Sequence, residues 1–164
     1  MKKNKISKNW LNKHRKDTFV RQSKIDGYRA RSAYKLIEIN EKFKVFKSKM
    51  CVVDLGASPG SWSQYVSKIV KSGKIISVDL KDMKEIKNTI QIKGDFTNNE
   101  IKEKIKNCIE KRSDVVMSDM AVNTTGIKDL DSIQTGELCK DAMTFSKEII
   151  SSNGFFISKI FMGV

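Results

Sequence analysis

The hydrophobic pattern changes rhythm near residue 50. Residues 1–27 hold no sustained period and read as irregular. Ser32 to Asn40 then place Ala33, Leu36 and Ile37 on one face, which predicts a helix. From Met50 onward, short apolar runs alternate with helical periods. Cys51, Val52 and Val53 predict a strand ending in Asp54. Trp62, Tyr65, Val66, Ile69 and Val70 follow at i, i+3, i+4, i+7 and i+8, a helical stripe that Gly73 stops. Lys74 to Val78 predicts a second strand ending in Asp79. Thr89 to Lys93 predicts a third, followed by Gly94, Asp95 and Phe96. Ile101, Ile105, Cys108 and Ile109 mark another helix, and Asp114 to Met117 a strand ending at Ser118 and Asp119. Leu138, Ala142, Phe145 and Ile149 mark a long helix. Asn153 and Gly154 are expected to end it before a fifth strand, Phe155 to Lys159.

Strands alternating with helices predict right-handed βαβ units, hence an α/β, Rossmann-like fold with a mostly parallel sheet covered by helices on both faces. Asp54, Asp79, Asp95 and Asp119 all fall at or just past strand C-termini, the edge where open α/β sheets bind ligands. Any one of them could be an ordinary helix cap. Four at corresponding places favour a site.

The 164 residues suffice for one domain spanning 1–164. Charge divides it. Residues 1–50 hold 16 Lys/Arg against 4 Asp/Glu, whereas residues 51–164 hold 16 against 15. A basic segment joined to a near-neutral core suggests a polyanionic partner, and the competing reading is a solvated tail. Trp10, Phe19, Tyr28 and Tyr34 interleave there with Arg15, Arg21, Arg29 and Arg31, a mixture suited to phosphate contacts and base stacking. No apolar run reaches the roughly 18 residues of a membrane span, and the basic N-terminus has no apolar stretch behind it. Cys51, Cys108 and Cys139 have no metal-type spacing and read as reduced thiols of a cytoplasmic protein. Lone His14, among basic residues, reads as solvated, so no metal site is expected.

The segment Asp54 to Ser63 carries the most chemistry. Gly56 and Gly60 allow a tight turn and close approach to a ligand. A dinucleotide site needs G-x-G-x-x-G, with main-chain amides on a pyrophosphate. Here Ser58 stands at the second glycine position and Pro59 has no N–H to give. S-adenosyl-L-methionine (SAM) carries no phosphate, so the loop favours SAM over NAD. Asp79 could accept from ribose hydroxyls of either cofactor, and Asp95 from an adenine amino group.

The run Asp54-Leu-Gly-Ala-Ser-Pro-Gly-Ser-Trp-Ser-Gln-Tyr65 resembles the SAM motif of the FtsJ-like methyltransferases. Arg31-Ser-Ala-Tyr-Lys-Leu36 is similar to the family's helix ahead of the first strand. Ser118-Asp-Met-Ala121 and Ser158-Lys-Ile160 are similar to its later motifs. The resemblance extends from about residue 10 to residue 163 and implies ribose 2'-O-methylation of ribosomal RNA, with a large-subunit uridine as target. It implies SAM contacts from Gly60, Trp62, Asp79, Asp95 and Asp119, and the loop reading adds Gly56 as a cofactor neighbour. The RNA, or the ribosomal subunit that carries it, would meet residues 1–50, and residues 51–164 would form the SAM-binding core. A monomer is expected.

The family's catalytic set is Lys-Asp-Lys-Glu, and Lys35, Asp119 and Lys159 match its first three members. Lys159 is the candidate base. Burial and a nearby cationic Lys35 would favour its neutral amine, and Asp119, bridging the two lysines, would oppose that while orienting them. The family continues with two further strands, one bearing the Glu. This sequence ends at Val164, five residues after Lys159. The expectation is a sheet without its last strands. A catalytically impaired RNA-binding form is the alternative to the active enzyme. A small-molecule methyltransferase would leave the basic segment unexplained.

Overall fold

The computed structural model describes residues 17–120 and 128–160. Its elements are α1 (Thr18–Ile25), α2 (Ala33–Phe43), β1 (Cys51–Leu55), α3 (Ser61–Ser67), β2 (Lys74–Asp79), β3 (Thr89–Lys93), α4 (Asn99–Cys108), β4 (Ser113–Ser118), α5 (Lys128–Ile149) and β5 (Ile150–Ser158). The five strands pair in the order β3-β2-β1-β4-β5, and every pairing is parallel. The chain therefore leaves β1 toward β2 and β3, then returns past β1 to build β4 and β5 on the other side.

Neighbouring side chains on a strand point to opposite faces, and the core divides accordingly. Val52, Ile75, Val115 and Met117 join Leu36 of α2 and Trp62 and Val66 of α3 on one face. Val53, Leu55, Ile76, Val78 and Val116 join Ile101 and Ile105 of α4 and Ala142, Phe145 and Ile149 of α5 on the other. Strands β1, β2 and β4 are thus buried on both faces. This is why they read as short, largely apolar runs rather than strictly alternating ones. The expected α/β architecture, with a parallel sheet and helices on both faces, is present.

Four local readings are corrected. Residues 18–25, expected to be irregular, form α1. Helix α3 ends at Ser67, although its stripe runs on: Val70 lies in the following turn and is still fully buried. Helix α5 begins at Lys128, ten residues before the first apolar position that marked it. Its end is not at Asn153 and Gly154. β5 starts at Ile150, directly after α5, and the register shifts between the Ser113–Ile150 and Val115–Phe155 pairings, so the extra residues are absorbed in a bulge. Trp10, His14, Arg15 and Ala121 lie outside the described residues.

Candidate active site

The carboxyl ends of β1 to β4 open into a cavity of about 590 Å³, within the size range of ligand pockets. Gly56 and Ser58 line it from the loop after β1, and Asp79 and Lys81 from the end of β2. Asp95 and Phe96 follow β3, and Asp119 and Met120 follow β4. The wall is apolar at Val78, Phe96, Met120 and Leu138 and acidic at three carboxylates. The cavity lies beside the crossing between β1 and β4, where the order of strands reverses.

The loop after β1 is rigidly built. Gly56 and Ala57 N–H both donate to the Val78 carbonyl, at 2.8 and 3.0 Å, which extends the β1–β2 pairing past the strand ends. Gly56 has φ of +72°, and a Cβ there would fall 1.9 Å from Met120 Cγ. Gly60 has φ of +97° and precedes α3; a Cβ on it would meet Ile86 at 2.8 Å and the Arg29 guanidinium at 2.9 Å. A side chain at either position would strain the backbone; at Gly56 it would also collide with Met120 of the cavity wall, whereas Gly60, expected to meet the cofactor, lies off the cavity lining.

Asp79 holds the two flanking loops. Its Oδ2 accepts from Ser58 N–H at 2.9 Å and its Oδ1 from Lys81 N–H at 2.8 Å. Asp95 Oδ1 accepts from Thr97 N–H at 2.9 Å and Thr97 hydroxyl at 2.7 Å. A carboxylate has about four lone-pair directions, so each retains acceptor capacity toward the cavity. Beneath the loop, buried Asp54 accepts from the Ser63 hydroxyl at 2.6 Å, and Ser63 meets the Ser77 hydroxyl at 2.6 Å. Burial, the largest influence, pushes the Asp54 carboxyl up to about 7, against the lowering effect of the Ser63 bond; Asp119 and Asp79 add to the rise. The sign of this buried group was legible in β2, where Ser77 interrupts an apolar run and must find a polar partner.

Lys159 follows β5, and its main-chain N–H donates to the Ser118 carbonyl at 2.9 Å. This fixes it opposite Asp119. Its ammonium donates to the Asp119 carbonyl oxygen at 2.9 Å and stands 2.8 Å from Asp119 Oδ1. Both side chains are largely buried, at 19% and 18% exposure, so water screens the pair poorly. Asp119 therefore belongs at once to the cavity wall and to the lysine.

Two expected members make no contact with the cavity lining or the Lys159–Asp119 pair among the described residues. Lys35 lies on α2 with an exposed side chain, and its ammonium forms no ion pair with a described residue, so Asp119 does not bridge two lysines here. Trp62 is 3% exposed, packs in the core between α2, α3 and the sheet, and donates its indole N–H to the Ser32 carbonyl at 2.9 Å. Its side chain is committed to packing, so a ligand could meet it through the main chain alone. Arg29 and Arg31, expected to serve phosphates, are also engaged. Arg31 pairs with Asp17. The Arg29 guanidinium donates to the carbonyls of Pro59, Lys84 and Glu85. No sequence signal distinguished these two from the other arginines.

A doubly wound parallel sheet with an acidic, glycine-edged cavity at its switch point defines a Rossmann-like α/β protein with its cavity where such sheets bind ligands. Comparison with known proteins makes the class specific. The FtsJ-like methyltransferase profile matches residues 28–164. The chain is 68% identical over 163 residues to the "Ribosomal RNA large subunit methyltransferase E" of Pelagibacter ubique, covering 99% of this chain and 80% of that one. It is 44% identical to the protein of the same name from Rickettsia rickettsii, covering 96% and 72%. The crystal structure of a ribosomal RNA methyltransferase from Plasmodium falciparum superimposes with a TM-score of 0.76 at 32% identity, covering 84% and 80%. The chain belongs to the FtsJ-like methyltransferase family. Among the described residues, no helix is long and apolar enough to cross a membrane.

Proposed function

We propose that this protein transfers a methyl group from SAM to a ribose 2'-hydroxyl of ribosomal RNA, with a uridine of the large subunit as the substrate. The observation that carries the reading is the Lys159–Asp119 pair, in which Asp119 lines the strand-end cavity and Lys159 stands against it. The family and the names of its relatives support the substrate class.

The cavity fits the cofactor. Asp79 and Asp95 have acceptor capacity for ribose hydroxyls and an adenine amino group, while Phe96 and Leu138 supply apolar surface. Gly56 keeps the loop free of a Cβ, Gly60 sets its exit into α3, and Trp62 contributes through its main chain. Three carboxylates suit a ligand that bears positive charge on sulfur and on its amino group. When bound, SAM supplies an activated methyl group on its sulfonium, and neither a metal nor a covalent intermediate is required.

The chain's own residues then position and deprotonate. Asp119 orients Lys159 through its carboxylate and its carbonyl. Lys159 in its neutral form takes the proton of the acceptor hydroxyl as that oxygen is methylated. Lys35, exposed on α2, is the further lysine of the matched catalytic set. Residues 1–50 supply RNA contacts to the 51–164 core. The protein acts as a cytoplasmic monomer on the RNA or on the ribosomal subunit.

Single-turnover transfer of labelled methyl to ribosomal RNA tests the assignment. It should be run on this chain and on a chimera carrying the remaining length of the Pelagibacter ubique relative. Lys159→Ala should lower transfer by about 10²–10⁴-fold, the usual contribution of a general base, while SAM affinity is retained. Lys159→Arg should fail equally, because a guanidinium keeps its proton. Transfer that survives Lys159→Ala in the active form would exclude Lys159 as the base.

A further inference from the structure

Arg29 lies in the turn between α1 and α2, and that turn is fixed to α3. The Arg29 main-chain N–H donates to Gln64 Oε1 at 3.1 Å, and Gln64 Nε2 donates to the Gly27 carbonyl at 2.8 Å. From this base the guanidinium spans two loops. Nη1 donates to the Pro59 carbonyl at 3.1 Å and the Lys84 carbonyl at 2.8 Å, and Nη2 donates to the Glu85 carbonyl at 2.7 Å. Pro59 belongs to the loop that carries Gly56 and Ser58 into the cavity. Lys84 and Glu85 belong to the β2–β3 connection, whose first residues, Leu80 and Lys81, also line it. Ile86, 5% exposed, comes down at the same point, against Gly60.

Outside this junction the β2–β3 connection is held by exposed polar contacts: Lys81 N–H on Asp79, Lys93 on Asp82, and Gln91 Nε2 on the Lys84 carbonyl at 3.0 Å. Lys81, Asp82, Lys84 and Glu85 are all exposed, and Ile86 is its buried apolar residue. Few buried contacts mean a low cost of local opening. A planar fork with donors on separate nitrogens can hold carbonyls on two loops at a fixed spacing; an ammonium, with its donors at one point, cannot.

We infer that Arg29 is a positioning residue for the cofactor cavity. It sets the separation of the loops that follow β1 and β2, and it is not a phosphate contact. This rests on the reading of the cavity as the SAM site. A residue of the basic N-terminal segment thereby acts on cofactor affinity, through the loops, without touching the cofactor.

Calorimetry with SAM on the unmodified chain, Arg29→Met, Arg29→Lys and Asp79→Ala tests this, alongside RNA binding at several salt concentrations. Arg29→Met should weaken SAM binding about tenfold, equivalent to about 1.4 kcal/mol. Arg29→Lys should fall between it and the parent. RNA affinity and its salt slope should stay the same, and amides of residues 80–88 should exchange faster. In the active form, KM for SAM should rise while kcat at saturating SAM is retained, a split that general destabilisation would not give. Should Arg29→Met fail to fold, Arg29→Lys decides by the same readouts. If Asp79→Ala weakens SAM binding and neither Arg29 variant does, the positioning role is overturned and the cavity reading stands. Weaker RNA binding with a shallower salt slope and unchanged SAM affinity would make Arg29 a phosphate contact and overturn it equally. If the unmodified chain binds no SAM, the cavity reading itself falls, and this proposal with it.

Discussion

Asp54 carries a carboxyl where solvent scarcely reaches: the residue is 1% exposed, and its Oδ1 has no hydrogen-bond partner. Its ordinary value of 3.8 rises to about 7 in the fold, chiefly through burial. Between those values the folded chain holds a proton that the unfolded chain has released. The associated stability is full below the unfolded value and is lost as pH climbs through 7. Asn keeps the side chain's shape and can still meet Ser63, but it has no charge to bury. Asp54→Asn should therefore gain stability relative to the parent as pH rises from 5 to 8, by on the order of 1–3 kcal/mol. Thermal unfolding of both proteins across that range measures the gap. Curves that stay parallel would mean that Asp54 is not held protonated. At this scale the sequence was informative where geometry follows from position. Asp79, Asp95 and Asp119 sit at strand ends, and strand ends can be counted. It was silent where side-chain direction depends on packing. Trp62 turns into the core because α2 and α3 make room for an indole there, and Arg29 turns to carbonyls that only the folded loops bring together.

Among the elements, the buried strands were the most legible and α1 the least. A helix announces itself through an apolar stripe, and α1 has almost none. Phe19 is 54% exposed, Ile25 is 77% exposed, and Ser23 is its buried residue. Its support is polar. Asp17 Oδ1 accepts from the N–H groups of Phe19 at 3.0 Å and Val20 at 3.3 Å, and Asp17 also pairs with Arg31. At the other end, Asp26 accepts from Gln22 at 2.8 Å and from the Tyr34 hydroxyl at 2.5 Å, which ties α1 to α2. Asp17→Ala should cost α1 about 1 kcal/mol for the lost cap, plus at most about 1 for the exposed ion pair. Hydrogen exchange should then quicken at residues 18–25 and stay unchanged in β1, β2 and β4. Asp17→Asn retains the cap and should show the smaller effect. Equal exchange in all three proteins would mean that α1 is held by something other than its cap. The irregular start of β5 carries no sequence signal of its own for a related reason. Asn153 and Gly154 are ordinary stop signals, but here they lie within the stretch that absorbs the register shift.

At the scale of the whole molecule, charge and cavity belong to different segments of the sequence, and the fold joins them through the turn at Arg29. The excess of positive charge lies in residues 1–50, yet not all of it is available to a polyanion. Arg29 is bound to carbonyls and Arg31 to Asp17. Arg21, Lys24, Lys35, Lys42, Lys44, Lys47 and Lys49 are exposed on α1, α2 and the segment leading to β1. If these carry the RNA contacts, binding must fall with salt, because each neutralised phosphate releases condensed counterions. For single-stranded RNA the slope of log affinity against log salt is about −0.7 per contact. Replacing Arg21 and Lys24 together with Ala should weaken binding to ribosomal RNA fragments and flatten that slope by about 1.4, two contacts' worth. Deleting residues 1–27 should flatten it further. Filter binding or fluorescence anisotropy over a salt series reads both quantities at once. A deletion that leaves affinity and slope as they were would return the charge of residues 1–27 to the role of a solvated tail, and RNA recognition would then have to come from residues 28–164, where the exposed lysines of α2 and of the segment before β1 remain.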